Sequence, residues 1–232
     1  MRFAVVQFGG SNCDRDAVSV LSTLCGVDTD LVWYKDRLRK PYDAVIIPGG
    51  FSYGDYLRAG AIAARTAIME DVASMAARGG LVLGICNGAQ ILAEAGMVPG
   101  TFTMNAYPKF ICRKVHIRVE TTQSPFTSLY RKGEAIAIPI AHQEGRYVAP
   151  LADVQKLERD SRIAFRFCSP EGDVGQGWNP NGSLGSITGV LNEAGNVLAM
   201  MPHPERASEE ILGSDQGKRI FMSMVRHVEA GA

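Results

Sequence analysis

Short apolar runs alternate with helical patterns through the first hundred residues of the chain. Strands are predicted where apolar residues run together, at residues 3–8, 29–34, 44–47 and 80–85. Helices are predicted where breakers are few: from an N-cap at Ser11, Asn12 or Asp14 to about residue 25, over residues 61–77 and over residues 87–95. This alternation indicates a parallel sheet with helices on both faces.

The pattern changes after about residue 100. Residues 112–120 and 134–140 alternate or run apolar without a helix between them, as antiparallel strands at a sheet edge do. Residues 186–191 and 196–201 flank a turn and predict a hairpin, and residues 215–229 predict an amphipathic helix. We therefore predict an α/β fold whose mostly parallel central sheet is flanked by helices and has antiparallel edge strands. A single domain over residues 1–232 is expected.

Composition narrows the functional classes. The 24 Lys and Arg residues balance 24 Asp and Glu residues, so the basic excess typical of a nucleic-acid binder is missing. No apolar run approaches the roughly 20 residues that cross a bilayer, and the first residues do not resemble a signal peptide. Five irregularly spaced cysteines do not suggest a disulfide framework, so a cytoplasmic location is expected. Glycine is enriched, at about 11% against a usual 7% or so.

Cys86 lies in the most informative segment, Gly84-Ile-Cys-Asn-Gly88, between a predicted strand and a predicted helix. This is the cysteine form of the G-x-S-x-G nucleophile elbow, a sharp turn that needs glycine two positions to either side. The N-terminus of the following helix favours a thiolate, and the backbone N–H of Asn87 can face an oxyanion. The setting favours a nucleophile over a buried structural cysteine. The remaining cysteines lack it and are predicted to be structural: Cys13, Cys25, Cys112 and Cys168.

A cysteine nucleophile needs a base, normally a histidine. His203 follows a predicted strand and lies between two prolines, which restrict the backbone around a base. Glu205 can bond the far ring nitrogen and fix the tautomer. Because parallel strands end at one edge of a sheet, Cys86 and His203 are expected to meet there. His142, in a loop after a strand, remains an alternative base. Two histidines are predicted to be surface or packing residues: His116 and His227.

Two glycine-rich turns follow other strands. Gly49 and Gly50 leave backbone N–H groups exposed, which can supply a second oxyanion donor or form an ordinary turn. The turn at Gly9 and Gly10 lacks the third glycine of a dinucleotide fingerprint, and a tight strand-to-helix turn is the better interpretation. No spacing typical of a metal site occurs.

Taken together, these motifs resemble the triad-type (class I) glutamine amidotransferases, which hydrolyse the side-chain amide of glutamine. Three segments are similar, more specifically, to the glutaminase subunits of phosphoribosylformylglycinamidine synthase in purine biosynthesis: Pro48-Gly-Gly-Phe-Ser-Tyr-Gly-Asp-Tyr-Leu-Arg-Ala-Gly60, His142-Gln-Glu-Gly-Arg-Tyr147 and Asn179-Pro-Asn-Gly-Ser183. The resemblance runs from residue 3 to about residue 227 and implies a flavodoxin-like class I fold. Gln143 departs from it, because these subunits commonly have a small residue there, often glycine.

The resemblance implies a reaction and the residues that carry it. Cys86 would be the nucleophile, His203 the general base and acid, and Glu205 the partner that orients the histidine. Glutamine would pass through a cysteine thioester to glutamate and ammonia.

The resemblance also implies a substrate site and partners. Backbone amides at Gly50 or Phe51 and at Asn87 would form the oxyanion hole, and Gln90 would contact L-glutamine. No cofactor is expected on this chain. ATP and magnesium are expected on a large synthetase subunit that converts formylglycinamide ribonucleotide to formylglycinamidine ribonucleotide, joined through a small bridging subunit. The loop 53–58 is either a docking surface for that complex or a solvated loop.

Two other functional classes remain open. One is a peptidase or other cysteine hydrolase on a similar sheet, which the proline-flanked His203 and Gln90 disfavour. The other is a non-catalytic relative that acts only as a binding or regulatory subunit. Such a relative usually lacks part of the triad, whereas Cys86, His203 and Glu205 are all present.

Overall fold

A nine-stranded sheet forms the centre of the protein, in a computed structural model that describes residues 1–231. The strands, including two outside that sheet, are β1 (Arg2–Gln7), β2 (Asp28–Trp33), β3 (Ala44–Ile47), β4 (Leu81–Ile85), β5 (Thr101–Thr103), β6 (Ile111–Val119), β7 (Ala135–His142), β8 (Arg146–Val148), β9 (Ile163–Cys168), β10 (Ile187–Leu191) and β11 (Val197–Met200). The α-helices are α1 (Asp14–Ser19), α2 (Ala67–Ala77), α3 (Asn87–Glu94), α4 (Leu151–Arg159) and α5 (Lys218–Gly231).

One half of the sheet is parallel. Strands β2, β1, β3, β4 and β11 lie side by side in that order and run in the same direction. All residues of β3, β4 and β11 are buried, as expected for strands covered on both faces. Their carboxyl ends therefore meet at one edge, which is where ligands bind in open α/β sheets.

The other half is antiparallel. Strands β10, β9, β6 and β7 extend the sheet beyond β11, each antiparallel to its neighbour. β7 shows strict alternation of burial, with Ile136, Ile138 and Ile140 in the core. Pro139 is tolerated because β7 is the outermost strand of the sheet. The predicted α/β class, with a parallel sheet and antiparallel strands at its edge, is confirmed.

The predicted helix 61–77 is wrong in its first part. A 3₁₀ turn occupies Ala63–Arg65, and Thr66 is extended, with φ −80° and ψ 152°, before α2 begins at Ala67. Gly60 packs against α3 so closely that an added Cβ would lie 2.7 Å from the backbone nitrogen of Ile91. Tertiary contact thus overrides the helix propensity of the alanines.

The first helix also differs from its prediction. α1 ends at Ser19 and continues as a π-helical turn, and its N-cap is Cys13. The predicted caps are used elsewhere: Ser11 Oγ accepts from the backbone of Phe8, and a carboxylate oxygen of Asp14 accepts from the Gln7 side chain at 2.5 Å. Because Ser11 and Asp14 bond to other partners, neither side chain caps the helix, and α1 begins after Cys13.

Several elements have no counterpart in the predictions: β5, β8, α4 and β9. β5 and β8 form a separate two-stranded sheet, in which Phe102 and the fully buried Tyr147 meet edge to face. This small sheet fixes the end of the short loop that follows β7. Within the described part of the chain, no helix is long and apolar enough to cross a membrane.

Candidate active site

Cys86 lies at the turn between β4 and α3 in a strained backbone conformation, with φ 51° and ψ −105°. Such a conformation costs about 1–3 kcal/mol in a non-glycine residue and clusters at functional sites. The flanking glycines make it possible: a Cβ at Gly88 would overlap the carbonyl oxygen of Ile47, and one at Gly84 would lie 2.7 Å from the carbonyl carbon of Gly88. The strand, the turn and the helix are thus packed backbone against backbone.

His203 and Glu205 form a buried pair just after β11. Since β11 pairs in parallel with β4, with Met200 opposite Ile85, the two strands deliver His203 and Cys86 to the same edge. His203 Nδ1 lies 2.5 Å from a carboxylate oxygen of Glu205, and each residue is only 2% exposed. The backbone N–H of His203 is fixed by the carbonyl of Pro139. The ring is therefore held from both its backbone and its Nδ1 side.

The charge state of His203 follows from its neighbours. Burial alone would lower its pKa, but the negative charge of Glu205, and after it that of Cys86, raises the pKa well above the ordinary value. A hydrogen bond with the Cys13 sulfur, 3.8 Å from Nδ1, acts in the same direction, while the buried Nε2 of the ring has no hydrogen-bond partner within the described residues. This environment favours the imidazolium form of His203, and a positively charged ring next to a cysteine is the setting in which a cysteine nucleophile is activated.

The loop after β3 lies against this pair. Gly49 packs on the imidazole, where a Cβ would lie 2.7 Å from His203 Cε1. Gly50 forms an isolated antiparallel bridge with Ser11, and the N–H of Phe51 donates to the carbonyl of Gly10 at 2.9 Å. Of the two predicted oxyanion donors, Phe51 is therefore occupied in this structure, which leaves the Gly50 amide as the candidate.

Asn87 and Gln90 are buried on the first turn of α3 and are joined to the surrounding loops. The Asn87 amide donates to Gln90 Oε1 at 2.9 Å and accepts from the backbone of Ser52 at 3.1 Å. The Gln90 amide nitrogen donates to the carbonyl of Glu144 at 2.6 Å. The Gln90 side chain, which is predicted to contact glutamine, and the Asn87 side chain are thus part of one hydrogen-bonded layer next to Cys86.

A sequence model of the CobB/CobQ-like glutamine amidotransferase domain matches residues 1–226 of the chain. The chain belongs to this family. Proteins named phosphoribosylformylglycinamidine synthase subunit PurQ are similar over the full length. That of Methanosarcina mazei is 52% identical over 228 residues, 98% of either chain, and that of Rhodopseudomonas palustris HaA2 is 50% identical over the whole of both chains.

Solved structures agree with this assignment. A chain in the structure of PurLQS from Thermotoga maritima superposes on this amidotransferase with a TM-score of 0.87, at 45% identity over 98% of each chain. Another glutamine amidotransferase from Thermotoga maritima, 12% identical, has a TM-score of 0.60 over 98% of this chain and 97% of its own and shows the shared fold.

The histidine left as an alternative base has a different environment in this amidotransferase. His142 ends β7 and is 3% exposed, and burial, together with the charge of His203, lowers its pKa to about 3. Its Nε2 faces the amide nitrogen of Asn181 at 3.1 Å. His142 is thus a neutral, hydrogen-bonded side chain. His116 is half-buried on β6 and His227 is exposed on α5, in line with their predicted surface or packing roles.

Cys13, for which the sequence predicts a structural role, lies beside the histidine–glutamate pair. Its sulfur is 3.8 Å from His203 Nδ1, and burial raises the pKa of its thiol. Cys13, His203 and Glu205 bring possible metal ligands within 4.8 Å of one another, but the His203–Glu205 hydrogen bond already uses two of them. The position of Cys13 after the glycine turn of β1 is the only sequence signal for this contact.

Gln143, the departure from the family pattern, is exposed and is not among the left-handed residues of the described chain. The glycine that this loop does need is Gly145, because a Cβ there would overlap the ring of His142. The substitution at position 143 therefore leaves the loop undistorted.

Proposed function

We propose that this chain is the glutaminase subunit of a phosphoribosylformylglycinamidine synthase, with Cys86, His203 and Glu205 as its catalytic residues. One observation carries the proposal: a strained cysteine turn lies against a buried histidine–glutamate pair, in a chain about half identical to PurQ subunits over its full length. The substrate is L-glutamine, and the products are L-glutamate and ammonia.

The first half-reaction forms a thioester. The Cys86 thiolate attacks the side-chain carbonyl carbon of glutamine, and the oxygen becomes an oxyanion held by the N–H groups of Gly50 and Asn87. The C–N bond then breaks, the imidazolium of His203 gives its proton to the departing nitrogen, and ammonia leaves. Glu205 keeps the ring oriented and stabilises its positive charge. Gln90 and Phe51 line the substrate side of this centre.

The second half-reaction releases glutamate. Neutral His203 takes a proton from water, the hydroxide formed attacks the thioester carbon, and the C–S bond breaks. The thiolate of Cys86 and the imidazolium of His203 are thereby restored, which returns the site to its starting state.

Ammonia must reach an acceptor before water protonates it, so the chain needs partners. By analogy with the PurLQS assembly, we assign a large synthetase subunit, which would bind ATP, magnesium and formylglycinamide ribonucleotide, and a small bridging subunit. No cofactor is assigned to this chain. All five cysteines are free thiols, which supports a reducing cytoplasm as the location. We assign residues 1–232 to a single glutamine amidotransferase domain.

The loop 53–58 is the surface we assign to the synthetase. Tyr56 and Leu57 are 75% and 91% exposed, which is costly for large apolar side chains when the chain is free in solution. Phe51 and Phe110, partly exposed with ring centroids 6.2 Å apart, extend the apolar surface towards the active site. Tyr53, Asp55 and Leu57 hold left-handed backbone conformations, a strain that persists only where the structure over-determines it.

The test measures glutamate release from glutamine, with and without the synthetase and bridging subunits. We expect weak release from the chain alone and a rise on mixing. Replacing Cys86 with alanine should abolish glutamine-dependent synthesis in the complex and leave ammonia-dependent synthesis intact. Peptide cleavage without glutamine hydrolysis would instead identify a peptidase. Full activity of the alanine variant would show that Cys86 is not the nucleophile and that the chain serves only as a binding subunit.

A further inference from the structure

The loop formed by residues 143–145, between β7 and β8, contacts the proposed substrate site at Gln90. Its Glu144 carbonyl accepts the hydrogen bond from Gln90, and the carbonyl of Ala141, two residues before the loop, lies 3.5 Å from the Cys86 sulfur. The 143–145 loop therefore orients the Gln90 amide together with Asn87, which donates to Gln90 Oε1. Its three residues lie outside both ladders, and β7 and β8 hold only its two ends.

Asn181 is bonded to this loop through its buried side chain. Its side chain is fully buried, and its amide nitrogen donates to the carbonyl of Gly145 at 2.8 Å and to His142 Nε2 at 3.1 Å. The amide oxygen accepts from both the backbone N–H and the hydroxyl of Ser183, at 3.0 and 2.7 Å. A backbone N–H can only donate, so the orientation of the Asn181 amide is fixed by its partners.

Asn105 is hydrogen-bonded to the same loop through both its side chain and its backbone. Its side-chain oxygen accepts from the N–H of Gly145 at 3.1 Å, and its side-chain nitrogen donates to the carbonyl of His142 at 3.1 Å. Its own backbone N–H donates to the carbonyl of Gln143 at 2.9 Å. The backbone of the loop is thus tied between two buried asparagines that come from distant parts of the chain.

His142 completes this arrangement as an acceptor. Because the Asn181 amide nitrogen can only donate, Nε2 of His142 carries no proton and the ring stays neutral. Burial first, and then the charge of His203, lower the pKa of His142 to about 3, which keeps the ring neutral at neutral pH. The contact between Asn181 and His142 is therefore insensitive to ordinary changes of pH.

We propose that Asn181 is a positioning residue for glutamine: acting through His142 and Gly145, it holds the 143–145 loop against Gln90. The proposal rests on the proposed function. It gives the segment 179–183 a task in substrate binding at a distance from the reacting sulfur. Loss of the Asn181 side chain should weaken the binding of glutamine more than it slows the chemistry at Cys86.

Replacement of Asn181 with alanine in the assembled complex is the first test. Two buried acceptors lose their donor, and we expect KM for glutamine to rise about tenfold while kcat changes less than about threefold. Alkylation of Cys86 by iodoacetamide, which needs no glutamine site, should keep its wild-type rate. The matched control is Asn196→Ala, because Asn196 is another buried asparagine that donates to two carbonyls. This variant should have a lower thermal stability and an unchanged KM for glutamine.

Replacement of Asn181 with aspartate gives a signature that a merely structural residue would not give. A carboxylate there would face two acceptors, the Gly145 carbonyl and His142 Nε2, and one added proton would restore one of the contacts. The KM defect of this variant should therefore shrink several-fold between pH 8 and pH 6, while the defect of the alanine variant stays constant.

The outcomes separate the two proposals. If the wild-type complex hydrolyses glutamine and the alanine variant keeps its KM within about twofold, or loses only thermal stability as the Asn196 control should, the positioning role alone is refuted. If the wild-type complex releases no glutamate, both proposals fall. Should the alanine variant not fold, Ser183→Ala, which removes one bond to the Asn181 oxygen and the acceptor of the Tyr147 backbone N–H, is compared in the same way.

Discussion

Gly49 offers a direct test of how tightly the histidine must be held. Alanine at this position would place a Cβ 2.7 Å from His203 Cε1 and 3.0 Å from the Cys13 sulfur, where ordinary contacts begin at 3.4 Å. The backbone of Gly49 lies outside the left-handed region, so the added methyl group creates crowding without dihedral strain. The imidazole must move by about 0.7 Å or more, which is the scale at which misplaced catalytic groups lose about 10²-fold in rate.

The ring has little freedom to absorb this displacement. Its Nδ1 is bound to Glu205 and its backbone N–H to Pro139, so movement breaks either the Glu205 contact or the alignment with Cys86. We expect Gly49→Ala to reduce kcat for glutamate release by about 10²-fold and to lower the free energy of unfolding by about 1–3 kcal/mol. KM for glutamine should change little, because the substrate contacts are elsewhere.

Glutamate release and thermal unfolding, measured on the same preparations, provide the assay. Gly9→Ala is the matched control: Gly9 also follows a strand at this edge, its φ is not left-handed, and an added Cβ would have nothing within 4 Å. We expect it to keep near-wild-type kcat. A Gly49→Ala variant that is folded and retains kcat within about twofold would refute the reasoning that the ring position limits the rate.

Three further predictions concern the elbow and the charged groups. Gly88→Ala should destabilise the protein by about 3 kcal/mol or more, because the methyl group would overlap the carbonyl oxygen of Ile47; a variant with unchanged thermal unfolding would contradict the packing described. Glu205→Gln removes the charge that raises the pKa of His203, so the alkaline limb of kcat/KM should move to lower pH by about one unit or more; an unshifted limb would show that the carboxylate does not set this pKa. Burial, with a neighbouring glutamate, raises the pKa of Asp55 to about 6. Stability is then lost as pH rises through that value, and Asp55→Asn should restore about 1 kcal/mol, after allowance for solvent screening, at pH 8 and nothing at pH 4; equal Tm differences at both pH values would argue against this.

The nucleophile elbow could be predicted from the local sequence, because the residues that form it are neighbours in the chain. The five residues from Gly84 to Gly88 contain both the strained position and the small residues that it needs, and the structure shows contacts that exclude a Cβ at both glycines. The proline-flanked His203 and Glu205 are two residues apart, so their pairing also depends on short-range geometry. These patterns could be interpreted without knowing what packs against them.

Other features depend on residues that are far apart in sequence. The alanine-rich segment 61–66 is not an α-helix, because Gly60 brings it against α3. Cys13 reaches His203 across 190 positions, and Asn181 reaches His142 across 39. The glycine turn before Cys13 and the segment 179–183 stand out in the sequence, but neither pattern identifies the partner of its side chain, because those partners are set by strand order in the sheet.

By itself, the sequence determined the alternation of strands and helices, the strained turn at Cys86 and the residues available for a triad. The tertiary structure alone decided that β11 inserts beside β4 and so brings His203 to Cys86. It also decided that Phe51 bonds to Gly10 and that two asparagines hold the 143–145 loop. The physical reason is that periodicity and turn chemistry act over a few residues, whereas strand order and buried hydrogen bonds are settled only when distant segments compete for the same partners.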